Sequence, residues 1–130
     1  MDKKEYRARL DEINNLVEKQ DYREALNVVE TIEWRRVRSA RTLCMVSEIY
    51  EVNKRYDDSL RLLLLAYQRA PSGKLILYRL VELSVKMTDY ESAVKYYNQF
   101  MKLSPNDNNR YILKYKIYKG RKNPIEDQIK

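Results

Sequence analysis

The chain has no histidine and one cysteine, Cys44, among its 130 residues. Histidine is the commonest general base and metal ligand near neutral pH, so the most frequent catalytic and metal-binding chemistry is missing. A single cysteine can form neither an internal disulfide nor a structural zinc site, and Cys44 is interpreted as a small apolar filler. We therefore expect a protein that is not an enzyme and that uses no metal ion or other cofactor.

Glycine and proline are scarce, at two and three residues, and long apolar runs are absent. All-β folds need many turns and usually contain more of both residues, so the composition favours helix. The longest apolar run, 62–66, is far shorter than the roughly 18–20 residues of a membrane-spanning helix. The N-terminal residues are charged and lack the apolar core of a signal peptide. We expect a reducing, cytoplasmic location without membrane insertion.

Basic residues outnumber acidic ones by 26 to 19, which gives a formal net charge of +7. They concentrate in two clusters that contain no acidic residue: Arg35, Arg36, Arg38 and Arg41, and then Arg110, Lys114, Lys116, Lys119, Arg121 and Lys122. Such an excess attracts acidic peptides, nucleic acid or anionic lipid without distinguishing among them. Charge alone does not identify a partner.

The most informative feature is an internal repeat of 34 residues. Tyr22, Tyr56 and Tyr90 follow one another at this interval, and each lies in a similar phrase that starts with Asp or Arg and ends with Ala or Ser. Pro71 and Pro105 are separated by the same interval. Several positions that share one period indicate a repeat architecture.

This pattern resembles that of the tetratricopeptide-repeat (TPR) family, whose 34-residue unit is a helix A, a turn and a helix B. The resemblance implies an all-α solenoid of antiparallel helix pairs, with about seven helices in a single array over 1–130. Its units would be 6–39, 40–73, 74–107 and a partial fourth over 108–130. The family's small residue early in helix B falls on Ala25, Ser59 and Ala93. Departures from the family pattern occur at Arg9, Val37, Val81 and Ser84.

Local signals agree with this division. Apolar residues at helical spacing over 40–53 and 57–70 predict two amphipathic helices. Asp21, followed by Glu24 three residues later, predicts a capped helix start, and Ser72 is expected to cap the helix that follows it. Proline at 71 and 105 is expected to end the preceding B helices, because it cannot continue the hydrogen-bond ladder.

The C-terminal sequence predicts the start of a further helix at Asn123, one repeat interval after Asp89, with Pro124 in the first turn. Too few residues follow for a stable helix. We therefore expect the chain to be a fragment of a longer protein, or an array with an incomplete last unit. Ile112, Tyr115 and Tyr118 would then lack part of their cover.

The resemblance implies that the A helices line a concave groove that binds a peptide or helix. The predicted groove residues are Arg7, Leu10, Asn14, Arg41, Cys44, Glu48, Tyr78, Glu82, Ile112 and Lys116. Leu10, Cys44, Tyr78 and Ile112 form a row at the repeat spacing that could seat apolar side chains of a partner. The alternative is that these side chains pack against neighbouring A helices and are largely covered.

We therefore expect a protein-interaction scaffold whose partner is a protein or peptide, with its own missing C-terminal region as one candidate. One alternative is nucleic-acid (RNA) binding, since twelve tyrosines and two basic clusters could combine base stacking with phosphate contacts. This alternative is weakened because half of the tyrosines occupy repeat-defining or core-facing positions. These are Tyr22, Tyr50, Tyr56, Tyr67, Tyr90 and Tyr97. A third hypothesis is a homodimer formed through the C-terminal helix.

Overall fold

The computed structural model describes residues 1–121, in which the regular elements are seven α-helices and one 3-10 turn, with no strand. These residues form two compact units, Met1–Arg69 and a second unit that begins at Ala70. The first contains α1 (Lys3–Glu18), α2 (Tyr22–Val29), α3 (Ala40–Val52) and α4 (Tyr56–Arg69), with the 3-10 turn Trp34–Arg36 after α2. The second contains α5 (Lys74–Lys86), α6 (Tyr90–Leu103) and α7 (Asn109–Gly120). The all-α prediction is confirmed for this part of the chain, and the predicted helix start at Asn123 lies outside it.

The helices recur at the interval that the sequence predicts. The second helix of each pair begins at Tyr22, Tyr56 and Tyr90, so the three repeated tyrosines are also the three helix starts. The first helices of the second and third pairs begin at Ala40 and Lys74, which are separated by the same interval. α4 and α6 end two residues before Pro71 and Pro105, as expected for residues that cannot continue a helix.

Each first helix ends in the same hydrogen-bonded motif. Gln20, Lys54 and Thr88, which recur at the repeat interval, adopt left-handed backbone conformations with φ of 60°, 60° and 57°. At the third site the amide of Thr88 donates to the carbonyl of Val85 and that of Asp89 to Ser84, at 3.0 and 2.9 Å. These two bonds define a Schellman motif, which satisfies the last carbonyl groups of a helix. The sharp reversal inside each helix pair is thus built identically three times, without glycine.

Replacing Thr88 by glycine should stabilise the protein by about 1 kcal/mol, because a left-handed conformation strains a β-branched residue but not glycine. Chemical denaturation of Thr88→Gly and wild type measures the difference. Thr88→Ala is the matched control, since it removes the hydroxyl group but keeps a Cβ atom in the strained conformation. A Thr88→Gly protein no more stable than Thr88→Ala would contradict this account of the turn.

Helix pairs pack through small residues at the predicted positions. Ala25, Ser59 and Ala93 are completely buried near the start of the second helix in each pair. The hydroxyl group of Ser59 donates to the carbonyl of Ser47 on α3 at 2.7 Å, which places α4 close against that helix. Side chains of leucine size at these points would force the helices apart, so this prediction from the sequence is confirmed.

Of the two helix caps predicted from the sequence, the one at Asp21 is present and the one at Ser72 is not. The carboxylates of Asp21 and Asp89 accept from the amides of Glu24 and Ser92 at 3.3 and 3.1 Å, as N-caps do. The prediction that Ser72 caps α5 is wrong, because the capping position is Gly73 and no side-chain bond is made there. A Cβ atom on Gly73 would lie 2.9 Å from Ile76 Cδ1 and 3.1 Å from the carbonyl oxygen of Ala70, so the Ile76 side chain would have to move to admit a larger residue.

The first pair departs from the others because α2 is short. α2 has 8 residues, whereas α4 and α6 have 14 each. β-branched residues cluster where α2 ends, from Val28 to Ile32, and the hydroxyl of Thr31 bonds back to the carbonyl of Val28 at 2.6 Å. Both features weaken a helix. The chain then turns inward and buries Ile32 and Trp34 in the first unit.

Candidate partner-binding surface

Three of the predicted groove residues meet in the second unit, where α5 packs against α7. The ammonium group of Lys116 on α7 pairs with the carboxylate of Glu82, which holds the equivalent position one repeat earlier on α5. The same ammonium group lies 5.9 Å from the centre of the Tyr78 ring. α5 and α7 therefore face each other with the side chains of equivalent repeat positions in register. The repeat spacing places Glu82 and Lys116 at equivalent positions, and the structure brings their side chains together.

The Tyr78 ring is held from below by α6. Phe100, which is 1% exposed, presents its ring edge-on to Tyr78 at 6.4 Å between centroids and 61° between planes. Edge-to-face packing is a favoured arrangement for two aromatic rings. Tyr78 is half-buried because Phe100 covers part of its ring. The part that Phe100 covers is not accessible to a partner.

A small hollow of about 110 Å³ opens beside Tyr78. At one edge the ammonium of Lys74 donates to the carboxylate of Asp107 at 2.7 Å. Hydrogen bonding from Lys74, together with a bond from the amide of Asn109, lowers the pKa of the Asp107 carboxyl group from its ordinary value. The hollow therefore has the Tyr78 ring on one side and the Lys74–Asp107 ion pair at its edge.

Two large apolar side chains on this surface are exposed. Leu75 on α5 is 66% exposed and Ile112 on α7 is 47% exposed. Leu75 and Tyr78 line the same hollow, and Ile112 lies about one helical turn before Lys116 on α7. The ion pairs Lys74–Asp107 and Lys116–Glu82 lie beside these side chains. An apolar centre with a charged border suits a peptide that contributes one or two apolar side chains. We call Leu75, Tyr78, Glu82, Ile112 and Lys116 the α5–α7 surface.

The remaining predicted groove residues lie in the first unit. On α1, Arg7 and Asn14 are exposed and Leu10 is half-buried. On α3, Arg41 and Glu48 are exposed and Cys44 is half-buried. The principal contacts of α1 are with α2, and those of α3 are with α4 and α2. These six side chains are exposed or half-buried, so each is accessible at least in part.

A larger cleft in the first unit was not predicted from the sequence. It has a volume of about 630 Å³ and lies between the connection that follows α2 and the side of α4. Its apolar lining includes Ile32, Trp34 and Leu62, and charged groups of Glu33 and Arg61 border it. The cleft exists because α2 stops early. Trp34, the single tryptophan of the chain, lies in the segment after α2 and is the sequence feature that could have indicated an apolar cluster there.

Tyr50 forms one wall of this cleft, and its hydroxyl group donates to the carboxylate of Glu30 at 3.2 Å. Burial, with the negative charge of Glu30 as the next cause, raises the pKa of Tyr50 to about 12. Arg55 pairs with the same carboxylate at 3.1 Å and with Asp58 at 2.7 Å. These groups fix the lining of the cleft, and they are explained by mutual pairing without an external ligand.

Two further observations concern the described part of the chain. Within residues 1–121, no three histidine, cysteine, aspartate or glutamate side chains come together as metal ligands would. None of the helices in this range is long and apolar enough to cross a membrane.

A comparison of the chain with protein-family models found no match, and neither did a search of curated proteins.

Proposed function

We propose that this protein is a non-enzymatic, cytoplasmic interaction module built from TPR-like helix pairs. In this proposal the pairs form a solenoid, and a peptide or helix of another protein binds across its A helices. The regular recurrence of helix starts and of left-handed turn residues supports the repeat assignment. Repeats of this kind bury their apolar faces against neighbouring repeats and leave a continuous surface for partners.

The α5–α7 surface is the observation that carries the binding proposal. Leu75 and Ile112 expose apolar area that contributes little to the core of the unit. The ion pairs beside them hold long side chains in place, so a partner would not have to order these groups on binding. A protein chain with apolar side chains would gain by covering Leu75 and Ile112, and its polar groups could meet the border of the surface.

To test this proposal, a partner is first isolated by affinity capture from the native cells, and its affinity is then measured with purified variants. Leu75→Ser and Ile112→Ser should each weaken binding by about tenfold, because each removes an apolar contact near the centre of the surface. Leu103→Ser is the matched control, since Leu103 is 44% exposed on α6 and lies outside the α5–α7 surface. Circular dichroism verifies that each variant folds.

Equal affinities for wild type, Leu75→Ser and Ile112→Ser would move the binding site away from the α5–α7 surface. Tyr78→Ser is less decisive because Tyr78 also packs on Phe100, so its loss could act through the fold. Leu10→Ser in the first unit tests whether the predicted groove extends to α1.

RNA binding has weaker support than protein binding. Of the twelve tyrosines, nine are buried or half-buried, including all six that the sequence assigned to repeat-defining or core-facing positions. Those side chains are committed to packing and are poorly placed to stack on bases. The three exposed tyrosines all lie on α7, where they form a separate feature of the molecule.

A further inference from the structure

α7 presents apolar side chains on two opposite sides. Leu113 and Ile117 face the second unit and are 0% and 7% exposed. Successive helical residues are about 100° apart, so Tyr111, Tyr115 and Tyr118 fall together on the opposite side. They are 61%, 59% and 47% exposed. We call these three tyrosines, with the exposed lysines Lys114 and Lys119 beside them, the outer face of α7.

The spacing on the outer face is that of a helix–helix seam. Tyr111, Tyr115 and Tyr118 are separated by four and then three residues, which matches alternating d and a positions of a heptad. In this register Lys114 occupies a g position and Lys119 an e position. The outer face is therefore a short apolar seam with a positive charge on each border. This geometry fits a second helix better than it fits an extended chain.

The charge of the surroundings specifies the chemistry of the partner. Residues 70–121 contain ten lysines and arginines but four acidic residues, whereas residues 1–69 contain fourteen and thirteen. Two of the four acidic residues, Glu82 and Asp107, already pair with Lys116 and Lys74. From 108 to 121 the sequence has no acidic residue. A partner that approaches α7 therefore meets a strongly positive surface and is favoured when its own borders are acidic.

The same charges disfavour a second copy of the chain on this face. A parallel pair of α7 helices would place Lys114 against Lys119 of the other copy. An antiparallel pair would place each lysine against its own equivalent. Like charges at the borders of a helix seam are repulsive in either orientation. Self-association through the outer face is therefore not the favoured assembly.

Single-stranded nucleic acid fits the outer face less well, because two of the three rings already have a cation close to one face. The guanidinium carbon of Arg110 lies 4.3 Å from the centre of the Tyr111 ring, and the ammonium of Lys119 lies 5.7 Å from that of Tyr115. These cations reduce the ring area on which a base could stack. The hydroxyl group of Tyr111 accepts a hydrogen bond from Arg110 at 2.7 Å, whereas the edges of the rings remain open to side chains of a docking helix.

We propose that the outer face of α7 docks an amphipathic helix of another protein whose apolar seam is bordered by acidic residues. This site is distinct from the α5–α7 surface and does not depend on the function proposed for it. Apolar side chains of the partner would pack between the tyrosines, and its carboxylates would pair with Lys114 and Lys119.

The probe is a fluorescein-labelled synthetic helix of about three heptads with leucine at a and d and glutamate at e and g. A second peptide with lysine at e and g is the matched control. Fluorescence anisotropy with the full chain at about 50 mM salt, where screening is weak, measures both affinities. The glutamate peptide should bind, and the lysine peptide should bind at least about tenfold more weakly.

The double variant Lys114→Glu/Lys119→Glu should reverse this preference between the two peptides, and Tyr115→Ser should weaken both of the favoured complexes. Lys102→Glu, an exposed charge reversal on α6, should change neither affinity by more than about twofold. An unchanged preference in the double variant would overturn the proposal. So would an affinity for oligouridine that exceeds the affinity for the glutamate peptide, since that result identifies a nucleic-acid surface.

Discussion

Replacing Trp34 by alanine is expected to lower the free energy of unfolding by about 3–5 kcal/mol, the range for deleting a buried aromatic side chain. Trp34 is 5% exposed, and its ring packs edge-on against Tyr6 at 6.4 Å between centroids. The indole N–H donates to the carbonyl of Val29 at 2.9 Å, at the end of α2. The substitution thus removes a large apolar contact together with a donor that satisfies a carbonyl at a helix end.

Far-UV circular dichroism during urea denaturation measures this effect, because the variant no longer contains tryptophan fluorescence. Trp34→Phe is the matched control: it keeps an aromatic ring but loses the N–H donor. Relative to wild type, Trp34→Phe should lower the free energy of unfolding because its ring is smaller. Loss of the hydrogen bond to the Val29 carbonyl should lower it by about 1 kcal/mol more. Equal stability of Trp34→Ala and Trp34→Phe would show that the aromatic ring of Trp34 does not stabilise the core of the first unit.

The second large effect is expected for Phe100→Ala, which should also lower the free energy of unfolding by about 3–5 kcal/mol. Phe100 is the single phenylalanine of the chain and is 1% exposed on α6. Its removal leaves a cavity in the core of the second unit, and Tyr78 loses the ring on which it rests. Chemical denaturation measures the loss of stability, and nuclear Overhauser contacts between the Tyr78 ring and Lys116 report whether the ring moves.

Leu103→Ala on the same helix is the control for this experiment. Leu103 is 44% exposed, so its truncation should change the free energy of unfolding by less than about 0.5 kcal/mol. Comparable losses for Phe100→Ala and Leu103→Ala would show that Phe100 does not hold the second unit together. Unchanged Overhauser contacts between Tyr78 and Lys116 in a folded Phe100→Ala protein would show that the α5–α7 surface has another support.

Repeat spacing identified equivalent positions on α5 and α7, but it did not predict which of their side chains would be in contact. Glu82 and Lys116 occupy equivalent positions in successive repeats, so their pairing follows once helices recur at that interval. The ring of Phe100 under Tyr78 could not be anticipated, because it depends on how deeply α6 sits against α5. The predicted groove positions on α1 and α3 are exposed or half-buried. Sequence spacing alone did not distinguish them from the residues of the α5–α7 surface.

The outer face of α7 shows the same boundary between local and tertiary information. Sequence indicated that Ile112, Tyr115 and Tyr118 would be poorly covered, and all three are about half exposed. It did not indicate that Arg110 and Lys119 would lie over tyrosine rings, since either side chain could extend into solvent. That choice of rotamer changes which kind of partner the face suits.

Sequence patterns were sufficient to predict the helical class, the starts of α2, α4 and α6, the cap at Asp21 and the small residues at the helix crossings. These features depend on periodicity and on hydrogen bonds between residues close in the chain. The structure was needed to show that α2 stops at Val29, that Trp34 turns inward, and that Gln20, Lys54 and Thr88 take left-handed conformations without glycine. The inward turn depends on packing between Trp34 and Tyr6, which are distant in the chain. The end of α2 and the left-handed turns involve hydrogen bonds between near neighbours, but no glycine or proline stands at these positions to signal them.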